Sequence, residues 1–238
     1  MRSPYGLDLT GSCETCSLKS EGFFCNLSKV ASKALDSIKL NTGYPKGAVL
    51  FVEQEDPRGV FVLCKGRVKL AMTSSEGKTV ILRIVRPGEV LGLHAAVSGQ
   101  PYQASAETLE PCQVNFIRRD DFLRFLSQHA EAALRAAQHL SGSYQAACEQ
   151  IRSLGLTHSA SEKLARFLLE STVTGQQTNQ GIRVRLTMTH EEIGQVIGTS
   201  RETVTRTLSD FKNKRLVAVN GSVLLVPSKT ALESFAGA

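Results

Sequence analysis

The spacing of apolar residues changes character three times along the chain. Over residues 1–30 it has no period, and Gly, Ser and Cys punctuate it. A helical spacing begins near Leu27 and runs through Val30, Ala34 and Ile38. From residue 44 to 116, apolar runs of four to six residues recur, at 49–52, 60–63, 68–72 and 80–85. Short strands about ten residues apart predict an antiparallel β-barrel or sandwich. Gly47, Gly66, Gly77, Gly88 and Gly99 fall at the joints, where turns call for positive φ.

From Asp120 the period becomes helical. Ala133, Ala137, Leu140, Tyr144, Ala147, Ile151 and Leu154 alternate at spacings of four and three, a heptad seam. With Arg135, Gln138, Glu149 and Arg152 beside it, the seam predicts a helix that packs on a second copy of the chain. A helix laid on its own barrel is the other reading. Leu164, Phe167 and Leu168 stripe a further helix, and 174–181 is polar and reads as a loop.

A compact unit follows. In Thr189-His190-Glu191-Glu192 the Thr hydroxyl can accept from the amide three residues on while Glu192 reaches back, a capping box. Ile193, Val196 and Ile197 face inward, Gly198 suits a helix C-terminus and Ser200 caps a second helix. In that helix Val204, Leu208 and Phe211 form the core stripe. This leaves Arg201, Glu202, Thr205 and Arg206 on the opposite face, in the turns that a helix-turn-helix inserts into the major groove. Arg can bond guanine O6 and N7 together, and Glu can accept from cytosine N4. Residues 217–226 alternate about Asn220-Gly221, which predicts a hairpin with a type I′ turn, the wing of a winged helix-turn-helix.

The fold class is therefore α+β, in four parts: a Cys-containing N-terminal extension (1–30), a β-barrel sensor domain (31–125), a dimerisation helix (126–155) and a winged helix-turn-helix domain (156–238). The net charge of +6 suits a polyanion. From residue 156 onward, though, only ten Lys/Arg stand against seven Asp/Glu, so base contacts rather than bulk charge must carry specificity. No phosphate-cradling Gly loop, nucleophile elbow or His-Glu-x-x-His is present, and an enzyme is not expected. With no apolar stretch of ~20 residues and no signal-peptide run, a cytoplasmic protein without a membrane partner is expected.

The order of barrel, seam helix and winged unit resembles the CRP/FNR family of bacterial transcription regulators over nearly the whole chain. The match is tightest at Ile193-Gly194, Gly198, Ser200 and Arg201-Glu202-Thr203-Val204-Thr205-Arg206. The resemblance implies a homodimer on double-stranded DNA, at a palindrome with TGA-type half-sites, together with RNA polymerase. Arg201, Glu202 and Arg206 would read bases, Thr205 would tune the outer base, and His190, Ser200 and Thr203 would touch phosphates. It also implies a jelly-roll barrel like those that bind cyclic nucleotides. Gly88-Glu89 matches half of that phosphate site, but the partner stretch 100–106 lacks the Arg that offsets the phosphate charge, which argues against a cyclic nucleotide.

Cys13, Cys16 and Cys25 give C-x2-C-x8-C, and residues 107–116, around Cys112, resemble the strand that supplies the fourth cluster cysteine in the FNR-like branch. That branch implies a [4Fe-4S] cluster on Cys13, Cys16, Cys25 and Cys112, gating DNA binding by oxygen or redox state. A zinc site or thiol switch at the same cysteines, a small molecule in the barrel, and haem on His94 are the alternatives; haem has only that lone histidine for it. Cys64 and Cys148 read as core residues.

Overall fold

The structure is a computed structural model. It describes every residue except 1–3, 8, 10, 14, 15, 17–21, 23, 157, 158, 174, 237 and 238, and leaves out the side chains of 150 and 153–156; the side chain of the seam residue Leu154 therefore lies outside the described residues. The chain divides into two compact units, Met1–Ala146 and Ala147–Ala238, so the division falls inside the expected dimerisation helix.

The first unit opens with helix α1 (Lys29–Ile38), whose N-cap Ser28 accepts from the Ala31 amide. Ser28 also donates its amide (3.0 Å) and its hydroxyl to Glu131. Eight strands follow: β1 (Lys39–Tyr44), β2 (Val49–Phe51), β3 (Gly59–Lys65), β4 (Val68–Thr73), β5 (Thr79–Val85), β6 (Val90–Leu91), β7 (Ser105–Thr108) and β8 (Cys112–Arg118). They form two antiparallel sheets, ordered β1-β8-β3-β6 and β2-β7-β4-β5, as the jelly-roll reading requires. The five joint glycines all take positive φ.

Because successive strand residues point to opposite faces, β3 feeds two cores. Phe61 and Leu63 face the interior between the sheets, with Phe51, Val85, Leu91 and Val114. Val60 and Val62 face outward, where Phe24, Leu27, Ala31 and Leu35 cover them together with Phe122 and Phe125. A short helix α2 (Leu93–Ser98) links β6 to β7, and β8 runs into α3 (Arg119–Gln128).

Helix α4 (Ala130–Leu156) starts after a break at His129 and continues through Gly142. Ala132, Ala136 and His139 are buried, and Leu140 packs half-buried beside them. One face of this helix packs on its own barrel, and another is exposed in the single chain. Leu140, expected in the dimer seam, turns toward its own barrel. Ala137, Tyr144, Ala147 and Ile151 are exposed, with Leu134 and Cys148 alongside them. Cys148, expected in the core, is exposed because it lies on this outer stripe.

The second unit contains α5 (Ala160–Thr172), β9 (Gln176–Thr178), β10 (Gly181–Arg185), α6 (His190–Ile197), α7 (Arg201–Asn213), β11 (Ala218–Asn220), β12 (Val223–Val226) and α8 (Lys229–Glu233). Residues 176–178 and 181, inside the stretch 174–181 read as a loop, belong instead to β9 and the start of β10, in a sheet ordered β11-β12-β10-β9. Val184 supplies its buried anchor, and polar edge strands give little periodicity to read. The hairpin loop is Gly221-Ser222, since Asn220 still pairs with Val223. Of the residues around it only Gly221 takes positive φ, 57°. An I′ turn on Asn220-Gly221 would need two such residues, so the glycine instead occupies the first central position, as in II′ turns.

Candidate DNA-reading surface and cysteine centre

The reading unit is built from its caps inward. Thr189 accepts from the Glu192 amide at 3.2 Å, and Glu192 accepts from the Thr189 amide at 2.7 Å, the reciprocal box expected from sequence. Helix α6 ends on Gly198 in the left-handed region, and Ser200 caps α7 through the Thr203 amide at 3.2 Å. Val204, Leu208 and Phe211 of α7 are buried against Leu164, Leu168 and Ile193. With that stripe committed to the core, Arg201, Glu202, Thr205 and Arg206 stand exposed together in the first two turns.

Two contacts fix this face. His190 Nδ1 lies 2.8 Å from Thr205 Oγ1, and Thr205 donates to the Arg201 carbonyl at 3.0 Å. With the Thr205 proton committed there, His190 must carry the proton on Nδ1 and donate it. Glu202 is held below the usual carboxylate range by hydrogen bonds, first from its own backbone amide and then from Ser200, so it stays an acceptor, as pairing with a cytosine amine requires. Arg183 and Arg185 are exposed on β10; their strand was not expected from sequence, so neither was their place.

In the barrel, Glu89 of the Gly88-Glu89 pair is bound by Arg83 at 2.7 Å. Tyr102 is buried; its ring stacks on Phe51 at 4.0 Å between centroids, and its hydroxyl donates to the Gly59 carbonyl. Gln103, which stands where a phosphate-binding Arg was sought, is exposed. Phe51, Phe61, Tyr102 and Phe116 pack ring against ring in the barrel interior, and the Glu89 carboxylate is paired with Arg83. His94 is exposed on α2. His139 accepts from the Val90 amide at 3.3 Å, tying α4 to the segment just after Glu89. Burial, then Arg83, pushes the His139 pKa down.

The cysteines are grouped differently from expectation. The thiols of Cys13, Cys16 and Cys25 act electrostatically on the sheet cysteine Cys64 and not on Cys112. Burial pushes Cys64 up to about 12, with the thiols of Cys13, Cys25 and Cys16 adding to it. Cys25 is pushed up to about 11 by burial and then by Cys16 and Cys13. Cys112 instead donates to the carbonyls of Glu110 (3.1 Å) and Arg67 (3.4 Å), fully buried. Strand parity is the reason. Cys112, Val114 and Phe116 share the inner face of β8, whereas Val60 and Val62 share the outer face of β3 toward residues 24–35, and Cys64, at the irregularity between Leu63 and Lys65, meets Asn115.

Polar groups missed by the sequence reading surround these thiols. Lys39, with a side chain only 6% exposed, contacts Cys13 Sγ at 3.2 Å and Asp36 at 2.5 Å. Asp36 also accepts from the Cys13 amide and the Ser12 hydroxyl. Asn115 donates to Cys64 Sγ at 3.2 Å. Among the described residues, no three His, Cys, Asp or Glu side chains meet at a point where a single metal ion would sit.

Known proteins align with both units. The cyclic nucleotide-binding domain family matches residues 42–129, and the Crp-like helix-turn-helix domain family matches 162–235. The chain is 24% identical, over 90% of its length and 96% of the relative's, to a CRP-like cAMP-activated global transcriptional regulator of Mycobacterium tuberculosis. It is 26% identical, over 79% of its length and 86% of the relative's, to the global nitrogen regulator of Synechococcus elongatus. Among solved structures, FixK2 from Bradyrhizobium japonicum superimposes with a TM-score of 0.75 at 23% identity, covering 84% of this chain and 98% of that one.

Proposed function

We propose that the chain is a DNA-binding transcription regulator of the CRP/FNR type rather than an enzyme, acting as a homodimer on palindromic DNA and gated by a redox or oxygen signal at its N-terminal cysteines. The observation that carries the DNA half is the exposed quartet Arg201, Glu202, Thr205 and Arg206 on a helix whose other face is core. In this reading Arg201, Glu202 and Arg206 contact bases of a TGA-type half-site, and Thr205, steadied by His190, shapes the outer position. His190, Ser200 and Thr203 approach phosphates, and bound dimers meet RNA polymerase.

The exposed stripe of α4 supports the homodimer: Leu134, Tyr144 and Ile151 are 61%, 73% and 71% exposed in the single chain, more apolar surface than one helix normally leaves in water. For the signal, the M. tuberculosis relative is cAMP-activated by name. In this chain the absence of an Arg in the stretch 100–106 and the Arg83–Glu89 pair oppose a cyclic nucleotide, while the N-terminal cysteines offer a sensor. A [4Fe-4S] cluster bound there would supply oxygen-sensitive redox chemistry, and the protein's part is to furnish thiolates and exclude water.

The test is Arg206→Ala in footprinting and in binding assays on a selected palindrome. Loss of a bidentate base contact should cost about 1–3 kcal/mol per half-site while dimerisation and melting stay unchanged. An unaltered footprint at unaltered affinity would remove Arg206 from the reading surface.

A further inference from the structure

We propose that His190 makes DNA binding proton-linked: its imidazolium, and not its neutral ring, holds a backbone phosphate, so each half-site takes up a proton as it binds. This rests on the reading of the DNA surface above and names what regulates it.

The Thr205 hydroxyl fixes the tautomer of His190. That hydroxyl has one proton, and it goes to the Arg201 carbonyl at 3.0 Å, one turn back along α7. His190 Nδ1 stands 2.8 Å from the same oxygen, so Nδ1 is the donor in that contact. In the neutral ring Nδ1–H is then the only N–H, and Nε2 keeps a bare lone pair. A phosphate oxygen is itself an acceptor, and negative, so a bare Nε2 has nothing to give it. A second proton creates an Nε2–H donor and a positive charge, and it leaves the bond to Thr205 as it was. The reading face thus keeps its shape in both states, and only the phosphate contact switches.

The surroundings suit an anion. His190 opens α6 and lines a cleft between that helix and the wing, with Arg185, Thr187, Thr189 and Ser222 as polar neighbours and buried Ile193 and Leu208 as apolar ones. Among the described residues that line this cleft, none is acidic. The charged neighbours can be named element by element. On α6, Glu192 is turned back to the Thr189 amide and hydroxyl at 2.7 and 3.0 Å, and Glu191 is exposed. On α7, Arg201, Glu202 and Arg206 stand exposed around Thr205. Arg185 comes from β10, and the wing strands with their turn, 218–226, carry no charged residue. These charges are of both signs and exposed, whereas a phosphate seated on the ring adds a negative charge at contact distance.

An arginine at this position would give the phosphate a permanent donor. A histidine makes the contact conditional, because imidazoles titrate near neutral pH. The phosphate favours the protonated ring, so DNA binding and proton uptake strengthen each other. Affinity is therefore greatest in acid and falls as the pH rises through the imidazole range. The protonated ring also neutralises one more phosphate, which steepens the dependence of log K on log salt by about 0.9 per half-site.

The full-length wild type, His190→Gln and His190→Arg, prepared anaerobically, are titrated onto a duplex carrying the selected palindrome between about pH 5.5 and 8, at several salt concentrations. Proton uptake is read by calorimetry in two buffers of different ionisation enthalpy, and melts at each pH separate binding from folding. The wild type should lose about tenfold in affinity per half-site across this range, take up protons on binding, and show the steeper salt dependence only at the acid end. His190→Arg should hold the tight affinity at every pH and His190→Gln the weak one, neither with proton uptake. A wild type with no proton uptake and a flat pH profile, or the same profile in His190→Gln, overturns the linkage and leaves the DNA-reading function standing. So does His190→Arg bound as weakly as His190→Gln, since this position would then meet no phosphate. A wild type that binds no duplex at any pH overturns both.

Discussion

A single close approach sets the geometry of the reading head. A Cβ added at Gly194 would lie 2.7 Å from the Thr199 carbonyl oxygen, a backbone atom with nowhere to go while that turn carries α6 into α7. Gly194→Ala should therefore cost about 1–3 kcal/mol of stability, as overpacking does, and should weaken DNA binding beyond that loss by tilting α7; denaturant melts and titrations of the same samples separate the two effects. His139 makes a different kind of prediction. Its Nε2 accepts from the Val90 amide, so a proton there would set one N–H against another; burial and then the Arg83 cation oppose the charge and outweigh Glu89 and the backbone hydrogen bonds that favour it. Its pKa is lowered from the ordinary 6.5. Just below 6.5 the unfolded chain thus binds the proton that the folded chain refuses, and stability is lost as the pH falls through that range. Melts between about pH 7.5 and 5.5 should show this loss, and His139→Gln, which keeps an acceptor without titrating, should flatten it. The exposed reading residues were legible because their periodicity is local. Cys64, read as a core residue, was less legible: its contact with Asn115 depends on the pairing of β3 with β8, which spacing does not encode.

At the scale of an element, α4 is where one sequence pattern served two surfaces. A heptad reading placed Leu140 with Tyr144 and Ile151, and at 3.6 residues per turn these three do lie within about 40° of one another; Leu140 stands at the border of that stripe, half-buried beside a barrel-facing row of Ala132, Ala136 and His139 that is turned further round the helix. Substitutions on the two rows should behave oppositely. Leu140→Ala removes half-buried packing from the first core and should lower the melting temperature while leaving self-association intact. Ile151→Glu touches nothing buried in the single chain. It should leave secondary structure unchanged, and sedimentation should find a monomer where the wild type is a dimer. A dimeric Ile151→Glu protein would take the outward row out of the interface. The strands show the same limit. Runs rich in Val, Ile and Leu (β3, β4 and β5) announced themselves, whereas β1, with Asn41, Thr42 and Gly43, and β9, with Gln176 and Gln177, owe their state to partners distant in sequence, as strand formation commonly does.

For the whole molecule, the proposed function makes affinity the sum of two weak readings made at once. Each reading unit carries few net charges, so non-specific phosphate attraction contributes little, and one half-site offers a handful of base contacts worth about 1–3 kcal/mol each. A dimer gains from the second half-site only if both heads meet the same face of the helix, with half-sites about 10 base pairs apart or a multiple of that. Inserting about five base pairs at the centre of the palindrome turns one half-site through roughly half a helical turn. The wild-type dimer on this spaced site should then bind no better than Ile151→Glu binds the intact site, whereas an insertion of about ten should recover much of the loss. Footprint titrations at fixed salt measure all three. Equal affinity on every spacing would mean that the two heads do not read together, and control of dimerisation by the cysteine centre would then have no route to the DNA.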